Sequence, residues 1–162
     1  MSALNRLPLL RLMRPQQWLK NGFVLVGLLF GHAWHEAAHL THALAACVAF
    51  CLLSSAVYVF NDLIDREQDR LHPQKRQRPL ASGAVGVPAA LILMLVCLGL
   101  ASALVLLVVP AAPWVFLAYL LINVAYSLRL KHIVILDVFL ISAGFMLRLL
   151  AGTLAIGIAP SH

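Results

Sequence analysis

The feature that most constrains this chain is a series of long apolar windows separated by short polar segments. A bilayer core needs roughly 20 mainly apolar residues for each helical span. Five windows come near that length, at Trp18–Trp34, His42–Phe60, Val87–Val109, Ala111–Leu128 and Ile133–Ile158. The chain is 62% hydrophobic and only 11% charged, with a mean hydropathy of +0.93. It is therefore predicted to be an all-α, polytopic transmembrane helix bundle of about five helices, not a soluble domain.

The basic residues predict how these spans are oriented. Of twelve Lys and Arg residues, eleven fall in three places: four up to Lys20, five from Arg66 to Arg78, and two at Arg129 and Lys131. Such residues accumulate on cytoplasmic loops, and five spans put all three places on the same side. The N-terminus and the loop after the second span are therefore predicted to be cytoplasmic. The net charge of +6 reflects this topology and an anion site, not nucleic-acid binding.

Acidic residues are concentrated at the end of the second window. Four of the six lie within eight positions, at Asp62, Asp65, Glu67 and Asp69. The segment "NDLIDREQDR" contains no Gly or Pro, so the helix is predicted to continue past Asn61. At roughly 100° per residue, Asp62, Asp65 and Asp69 fall within an arc of about 60°, with Asn61 beside it. Carboxylates so close repel one another, which predicts a bound cation, and their oxygens suit Mg²⁺.

The simpler alternative is a solvated helix end that binds nothing. In that case Asp65 and Asp69 would pair with Arg66 and Arg70 on an exposed face, as is common on helices. The basic run that follows favours a ligand, because Lys75, Arg76 and Arg78 supply donors for phosphate oxygens. A metal ion next to a basic cluster predicts a diphosphate ligand.

Further candidate phosphate contacts lie on the same predicted side of the membrane. Arg66 adjoins the acidic cluster, and Lys20 lies at the start of the first window. Each of these basic residues is also explained by orientation alone, because positive charge marks cytoplasmic loops in any case.

Two ionisable residues in the last window carry a separate hypothesis. Asp137 and Arg148 are eleven residues apart, which on a helix places them on nearly the same face about 16 Å apart. They cannot pair directly, and charged groups inside a span usually face a cavity or a partner. Asp137 is interpreted as a ribose or helix-end contact and Arg148 as a phosphate or interhelical contact. Helix packing through hydrogen bonds explains both equally well.

A histidine group in the loop after the first window suggests a second metal site. The four residues His32, His35, His39 and His42 are spaced by three, four and three, which places them on one face of a helix. The predicted topology puts them on the outer side, away from the acidic cluster. Surface histidines also need no ligand.

Several segments together resemble one enzyme family. The segment "NDLIDREQD" fits the N-D-x-x-D-x-x-x-D motif of the UbiA superfamily of intramembrane prenyltransferases, and "KRQRPLASGAV" resembles the segment that follows it there. The segment "YSLRLKHIVILD" is similar to the family's Tyr-to-Lys segment, here Tyr126 and Lys131. Two more, "MRPQQWLKN" and "GFMLRLLAG", resemble the branch that transfers 5-phosphoribose to polyprenyl phosphate.

The resemblance implies a fold and a set of site residues. Residues 1–162 are expected to form a single membrane domain resembling the first half of the UbiA-type fold. The chain would then be an N-terminal fragment of a transferase, with the family's second Asp-rich motif supplied by a C-terminal half or a second chain. The implied catalytic residues are Asp62, Asp65, Asp69 and Lys131, the first three being Mg²⁺ ligands. Together with the candidates argued above from charge and spacing, the expected substrate-binding residues are Lys20, Asn61, Arg66, Lys75, Arg76, Arg78, Tyr126, Asp137 and Arg148.

The resemblance also implies a reaction. The expected activity is Mg²⁺-dependent transfer of 5-phosphoribose from phosphoribosyl diphosphate to a polyprenyl phosphate, at the cytoplasmic face of a bacterial inner membrane. One alternative keeps the site but makes the donor a prenyl diphosphate and the acceptor an aromatic compound. Another is a non-catalytic membrane protein whose acidic loop binds divalent cations, which predicts cation binding without turnover.

The predicted orientation can be tested by cysteine labelling. A label confined to the cytoplasm should react with a cysteine introduced at Gln74 and should not react with one at Glu36, because the basic residues place these loops on opposite sides. The reverse labelling pattern would overturn the orientation and, with it, the cytoplasmic location of the acidic cluster.

Overall fold

A computed structural model describes residues 7–128 and 134–157. The described part is a bundle of α-helices joined by short 3₁₀ segments, which confirms the predicted all-α class. The α-helices are α1 Pro8–Met13, α2 Val26–Phe30, α3 Ala37–Ile64, α4 Arg66–Leu71, α5 Val87–Val108, α6 Pro113–Leu128 and α7 Val134–Ala155. The 3₁₀ segments are Pro15–Leu25, Ala33–His35 and Lys75–Gln77.

Three of the predicted spans are long α-helices. In the described ranges, Ala37–Ile64, Val87–Val108 and Val138–Ala155 are long and apolar enough to cross a membrane. The fourth window forms α6, which at 16 residues is about 24 Å long at 1.5 Å per residue. That is shorter than a hydrocarbon core of roughly 30 Å.

The first window differs from the regular helix that was predicted. Its chain follows a 3₁₀ helix over Pro15–Leu25 and becomes α-helical only at Val26–Phe30. A 3₁₀ helix rises about 2.0 Å per residue and an α-helix about 1.5 Å, so these sixteen residues extend about 30 Å. The 3₁₀ geometry thus gives this short segment roughly the length of a bilayer core.

The long helix α3 is the centre of the bundle. Its Phe50 is fully buried and packs against Phe116 and Tyr119 of α6 at centroid distances of 4.6 and 5.2 Å. Helix α5 also lies along α3, and it buries a narrow stripe that includes Cys97, Ala101 and Val105. Most of its other large side chains are exposed, as expected for an apolar helix with lipid on its outer face.

The 3₁₀ segment is joined to α3 through polar side chains. Trp18 Nε1 donates a hydrogen bond to Ser55 Oγ at 2.9 Å, and Asn21 Nδ2 donates to Ser54 Oγ at 3.3 Å. Hydrogen bonds of this kind hold helices together where lipid removes the hydrophobic driving force. They fix the 3₁₀ segment Pro15–Leu25, called the first segment below, against the C-terminal half of α3, which ends near the acidic residues.

The same 3₁₀ segment lies in backbone contact with α7. A Cβ added to Gly152 would overlap the carbonyl oxygen of Val24, so only glycine permits this approach. Gly27 packs nearly as closely, since a Cβ there would lie 2.8 Å from Thr153 Cγ2. These two glycines set the separation between the first segment and α7.

We predict that Gly152→Ala separates the first segment from α7 and lowers the free energy of unfolding by about 2 kcal/mol or more, as overpacking does. Thermal unfolding in detergent would measure the loss. Gly99→Ala is the matched control, because Gly99 lies within α5 and a Cβ there meets nothing within 4 Å. Equal melting temperatures for the two variants would contradict this close contact.

Candidate functional site

Helix α3 bends at the centre of the acidic segment. It ends at Ile64 and α4 begins at Arg66, so the continuous helix that was predicted past Asn61 is interrupted at Asp65. Helical hydrogen bonding nevertheless runs through the bend: Asp65 N donates to Asn61 O at 3.0 Å, and Asp69 N donates to Asp65 O at 2.8 Å. Asn61, Asp65 and Asp69 therefore stay one turn apart along one side of the chain.

A cavity of about 410 Å³ opens beside that side. Its lining combines oxygen-bearing side chains with basic ones: Asn61, Asp65, Gln68, Asp69, His72, Lys75, Arg78 and Tyr126. Asp65 and Asp69 of the acidic segment and Lys75 and Arg78 of the basic run thus face the same space. Such a cavity can hold an anion through the basic groups and a cation through the oxygens.

Asp62 is held in a buried network of ion pairs. It is 2% exposed, and its Oδ1 accepts hydrogen bonds from Arg14 Nη2 at 2.5 Å and from Arg78 Nη1 at 3.2 Å. Arg78 Nη1 also donates to Asp69 Oδ2 at 2.7 Å. One guanidinium therefore bridges two buried carboxylates, and a second one closes the network from the N-terminal segment.

This network corrects the predicted geometry of the metal ligands. Asp62, Asp65 and Asp69 were expected to share one face around a cation, but Arg78 occupies the space between Asp62 and Asp69. Across residues 7–128 and 134–157, no three Asp, Glu, His or Cys side chains lie close enough together to hold a metal ion. Asp65 instead accepts a hydrogen bond from Asn61 Nδ2 at 3.3 Å at the cavity wall.

The loop that carries the basic run is held in place by its own hydrogen bonds. His72 Nδ1 accepts from the backbone N–H groups of Gln74 and Lys75, at 3.2 and 3.3 Å. Arg70 Nε donates to the carbonyl oxygen of Ala81 at 3.3 Å. These contacts turn the chain after α4 so that Lys75 faces the acidic segment.

Two predicted phosphate contacts lie outside the cavity. Arg66 donates two hydrogen bonds to Glu67 Oε1, and this contact holds the pKa of the exposed Glu67 carboxyl below its usual value. Arg76 is exposed and does not line the cavity. Their geometry fits the alternative given for single basic residues, which is that they mark a cytoplasmic loop.

A second cavity of about 310 Å³ lies between α6, α7 and the first segment. Two of the predicted contacts, Lys20 and Arg148, line it, and Tyr126 lines both cavities. Lys131 lies outside the described residues, and so does the side chain of Asp137, whose backbone belongs to α7.

The histidine group does not assemble into a metal site. His32 has a left-handed backbone and precedes the 3₁₀ turn that contains His35, so these residues and the two on α3 do not share one helix. The Nδ1 atom of His39 lies 3.3 Å from Glu36 Oε2. The metal hypothesis for this group therefore has no support in the described structure.

Sequence reasoning missed several residues of the ion-pair network and of the two cavities. Arg14 was interpreted only as a topology signal, and nothing in the sequence connects it with Asp62, 48 positions away. Gln68 and His72 carried a usable signal, because they lie within one helical turn of Asp65 or Asp69. Tyr58 and Tyr119 are ordinary apolar-span residues by sequence, and only packing brings them to the second cavity.

Comparison with known proteins agrees with this architecture. A model of the UbiA prenyltransferase family matches residues 22–161. A decaprenyl-phosphate phosphoribosyltransferase of Corynebacterium glutamicum is 36% identical over 159 residues, covering 95% of this chain and 48% of the relative. The enzyme of the same name from Mycolicibacterium smegmatis is also 36% identical, over 95% of this chain and 50% of the relative.

A solved structure gives the same result for the fold. A UbiA homolog from Archaeoglobus fulgidus, bound to DMAPP and Mg²⁺, superposes with a TM-score of 0.78 at 25% identity, covering 93% of this chain and 55% of that one. The apolar helices and the acidic cavity at one end of the bundle define an integral membrane protein of the intramembrane prenyltransferase class. The chain belongs to the UbiA prenyltransferase family, and it spans about half the length of the curated relatives it matches.

We predict that Asp62→Asn destabilises the fold by about 3 kcal/mol, because it leaves two guanidinium groups without their shared buried carboxylate. Thermal unfolding in detergent would measure the change. Glu67→Gln is the matched control: it also converts a carboxylate to an amide beside two arginines, but the Glu67 side chain is 66% exposed, so little change is expected. An Asp62→Asn variant as stable as the control would contradict the role of the network.

Proposed function

We propose that this chain forms the donor-binding part of a Mg²⁺-dependent membrane transferase that moves 5-phosphoribose from phosphoribosyl diphosphate to a polyprenyl phosphate. The observation that carries the proposal is the 410 Å³ cavity, whose wall combines carboxylate and amide oxygens with basic groups. The names of the relatives from Corynebacterium glutamicum and Mycolicibacterium smegmatis support this particular reaction.

The residues at the cavity fit Mg²⁺ by their chemistry. Asn61, Asp65, Gln68 and Asp69 all offer oxygens to the same space. Magnesium usually takes only one or two carboxylates and completes its shell with water and substrate phosphates, so an assembled trio of acids is not required. Asp65 and Asp69, with Asn61 beside them, are the proposed ligands, and bound Mg²⁺ would neutralise charge on the departing diphosphate.

Asp62 is proposed to act through Arg78 and not as a metal ligand. Its carboxylate is 2% exposed and is already shared by Arg14 and Arg78. The shared contacts hold the Arg78 guanidinium at the cavity, where it and Lys75 face the phosphates of a bound donor. Holding positive charge at the place where negative charge develops lowers the barrier without reorganisation during the reaction.

The proposed reaction breaks the bond between the anomeric carbon and the diphosphate oxygen. An oxygen of the lipid phosphate forms the new bond to that carbon, and diphosphate leaves. Because the lipid phosphate is already an anion, it needs no strong general base. The task of the protein is then to orient the two substrates and to hold the leaving group.

A second candidate uses the same cavity for a prenyl diphosphate and transfers the prenyl group to an aromatic acceptor. The Archaeoglobus fulgidus homolog, whose structure contains DMAPP and Mg²⁺, supports this candidate. The basic groups and oxygens serve either diphosphate, so the donors have to be compared directly. Both candidates place the reaction at the cytoplasmic face, following the positive charge on that side.

We predict that the chain, reconstituted in lipid nanodiscs, binds phosphoribosyl diphosphate more tightly with Mg²⁺ than without it. Asp65→Asn should remove this Mg²⁺ dependence and weaken binding at least tenfold, because it removes a charged ligand from a small oxygen site. Isothermal titration calorimetry, with DMAPP as the competing donor, would measure both effects and separate the two candidate donors.

Two controls accompany this measurement. Glu67→Gln changes an exposed carboxylate two residues from Asp65 and should leave donor affinity unchanged. Lys75→Gln should weaken donor binding more than Arg76→Gln, since only Lys75 lines the cavity. Undiminished Mg²⁺-dependent binding in Asp65→Asn would contradict the proposed site, and tighter binding of DMAPP would favour the second candidate.

A further inference from the structure

Arg148 is a buried cation without a carboxylate partner in the described part of the chain. It lies within α7, is 6% exposed and forms no ion pair there. Its three hydrogen-bond acceptors are all neutral: Nε donates to Asn21 Oδ1 at 2.8 Å, Nη1 to the carbonyl oxygen of Gly144 at 2.8 Å, and Nη2 to Tyr119 Oη at 3.0 Å. A guanidinium has five N–H groups, so two remain beyond these three bonds.

Aromatic rings surround the same guanidinium. Its carbon lies 5.0 Å from the ring centroid of Tyr119, 5.7 Å from that of Phe145 and 5.8 Å from that of Phe50. Cation–π contacts of this kind stabilise a buried charge, but they recover only part of the free energy that is lost when an ion is removed from water. The neutral surroundings hold Arg148 in place without cancelling its charge, which leaves the site attractive to an anion.

The charge faces a cavity that can hold such an anion. The 310 Å³ space corresponds to roughly ten water molecules at about 30 Å³ each, which is ample for a phosphate group. Lys20 brings a second cation to its wall, and Tyr126 and Asn123 add polar groups. Two cations and no described carboxylate at one cavity favour a phosphate over a neutral ligand.

The remaining wall is apolar and indicates what carries the phosphate. Ile122, Leu140, Ile141 and Phe145 line the cavity together with the cations. The 5-phosphate of a sugar diphosphate would present hydroxyl groups to this wall, at a cost in desolvation. An isoprenoid chain would bury apolar surface there, which is favourable.

We infer that the cavity between α6, α7 and the first segment binds the phosphate of a lipid phosphate monoester, with Arg148 and Lys20 as its cationic contacts. This inference rests on the proposed function, because it supplies the acceptor subsite of that reaction. Tyr126 lines both cavities, so the phosphate of the acceptor would lie next to the donor. A neutral aromatic acceptor would leave both cations unmatched, so the subsite also selects for an anionic acceptor.

The test compares farnesyl phosphate with farnesol in the full chain reconstituted in nanodiscs. The key variant is Asn21→Asp, which places a carboxylate at the atom that already accepts from Arg148 Nε. It should lower farnesyl phosphate affinity at least tenfold and leave farnesol affinity unchanged, because it neutralises the guanidinium without removing it. Gln16→Glu is the matched control, since it adds the same charge to an exposed position of the same segment.

A second variant protects the test against a failure to fold. Asn21→Asp loses the hydrogen bond that Asn21 Nδ2 donates to Ser54, so its thermal unfolding must be measured alongside binding. Lys20→Gln alters an exposed side chain and should weaken farnesyl phosphate binding at least threefold without a change in melting temperature. If Asn21→Asp does not fold, this variant decides the result.

The possible outcomes separate this inference from the proposed function. Equal affinities for farnesyl phosphate and farnesol, or undiminished phosphate binding in the variants, would overturn the subsite and make Arg148 a packing residue. A loss confined to phosphoribosyl diphosphate in Asn21→Asp would assign the cations to the donor and also overturn it. If the wild-type chain binds no sugar diphosphate but retains Arg148-dependent binding of farnesyl phosphate, the donor proposal fails and the lipid subsite stands.

Discussion

The site depends most on the carboxylate of Asp62 and the two arginines that share it. Arg14 comes from the N-terminal segment, Asp62 from the end of α3, and Arg78 from the loop beyond α4. A buried charge left without its partner costs several kcal/mol, so these three segments hold together or separate as a unit. Because Arg78 also binds Asp69, the same contacts fix the position of the cavity wall.

The fold was predictable wherever a long apolar run coincided with regular helical geometry. The windows that became α5 and α7 matched to within a few residues, since about 20 apolar residues in lipid can satisfy their backbone only as a helix. The prediction for the first window was wrong in detail. A 3₁₀ helix also satisfies its backbone hydrogen bonds internally, so an apolar composition alone does not select an α-helix. The choice between the two helix types depends on contacts with Ser54, Ser55 and Gly152. These residues lie far along the chain, so no local sequence pattern predicts the contacts.

The sequence predicted which types of residue meet at the candidate site but not how they are arranged. The acidic segment and the basic run indicated that opposite charges would meet, and Asp65, Asp69 and Lys75 do line one cavity. Helical periodicity could not reveal that Arg78 lies between Asp62 and Asp69, because that contact requires the loop to fold back. Arg14 shows the same limit, since its partner is fixed by tertiary packing alone.

The two cavities share Tyr126 but present charges of different kind. Among the described side chains, carboxylates and cations together line the 410 Å³ cavity, which suits a ligand that arrives with Mg²⁺, whereas the 310 Å³ cavity combines Lys20 and Arg148 with neutral polar and apolar side chains. A lipid phosphate that entered the 410 Å³ cavity without Mg²⁺ would meet the carboxylates of Asp65 and Asp69, which repel it. A hydrated sugar diphosphate that entered the 310 Å³ cavity would lose water against Leu140 and Phe145. Tyr126 is common to both walls, so the two substrates proposed for these cavities would meet beside it.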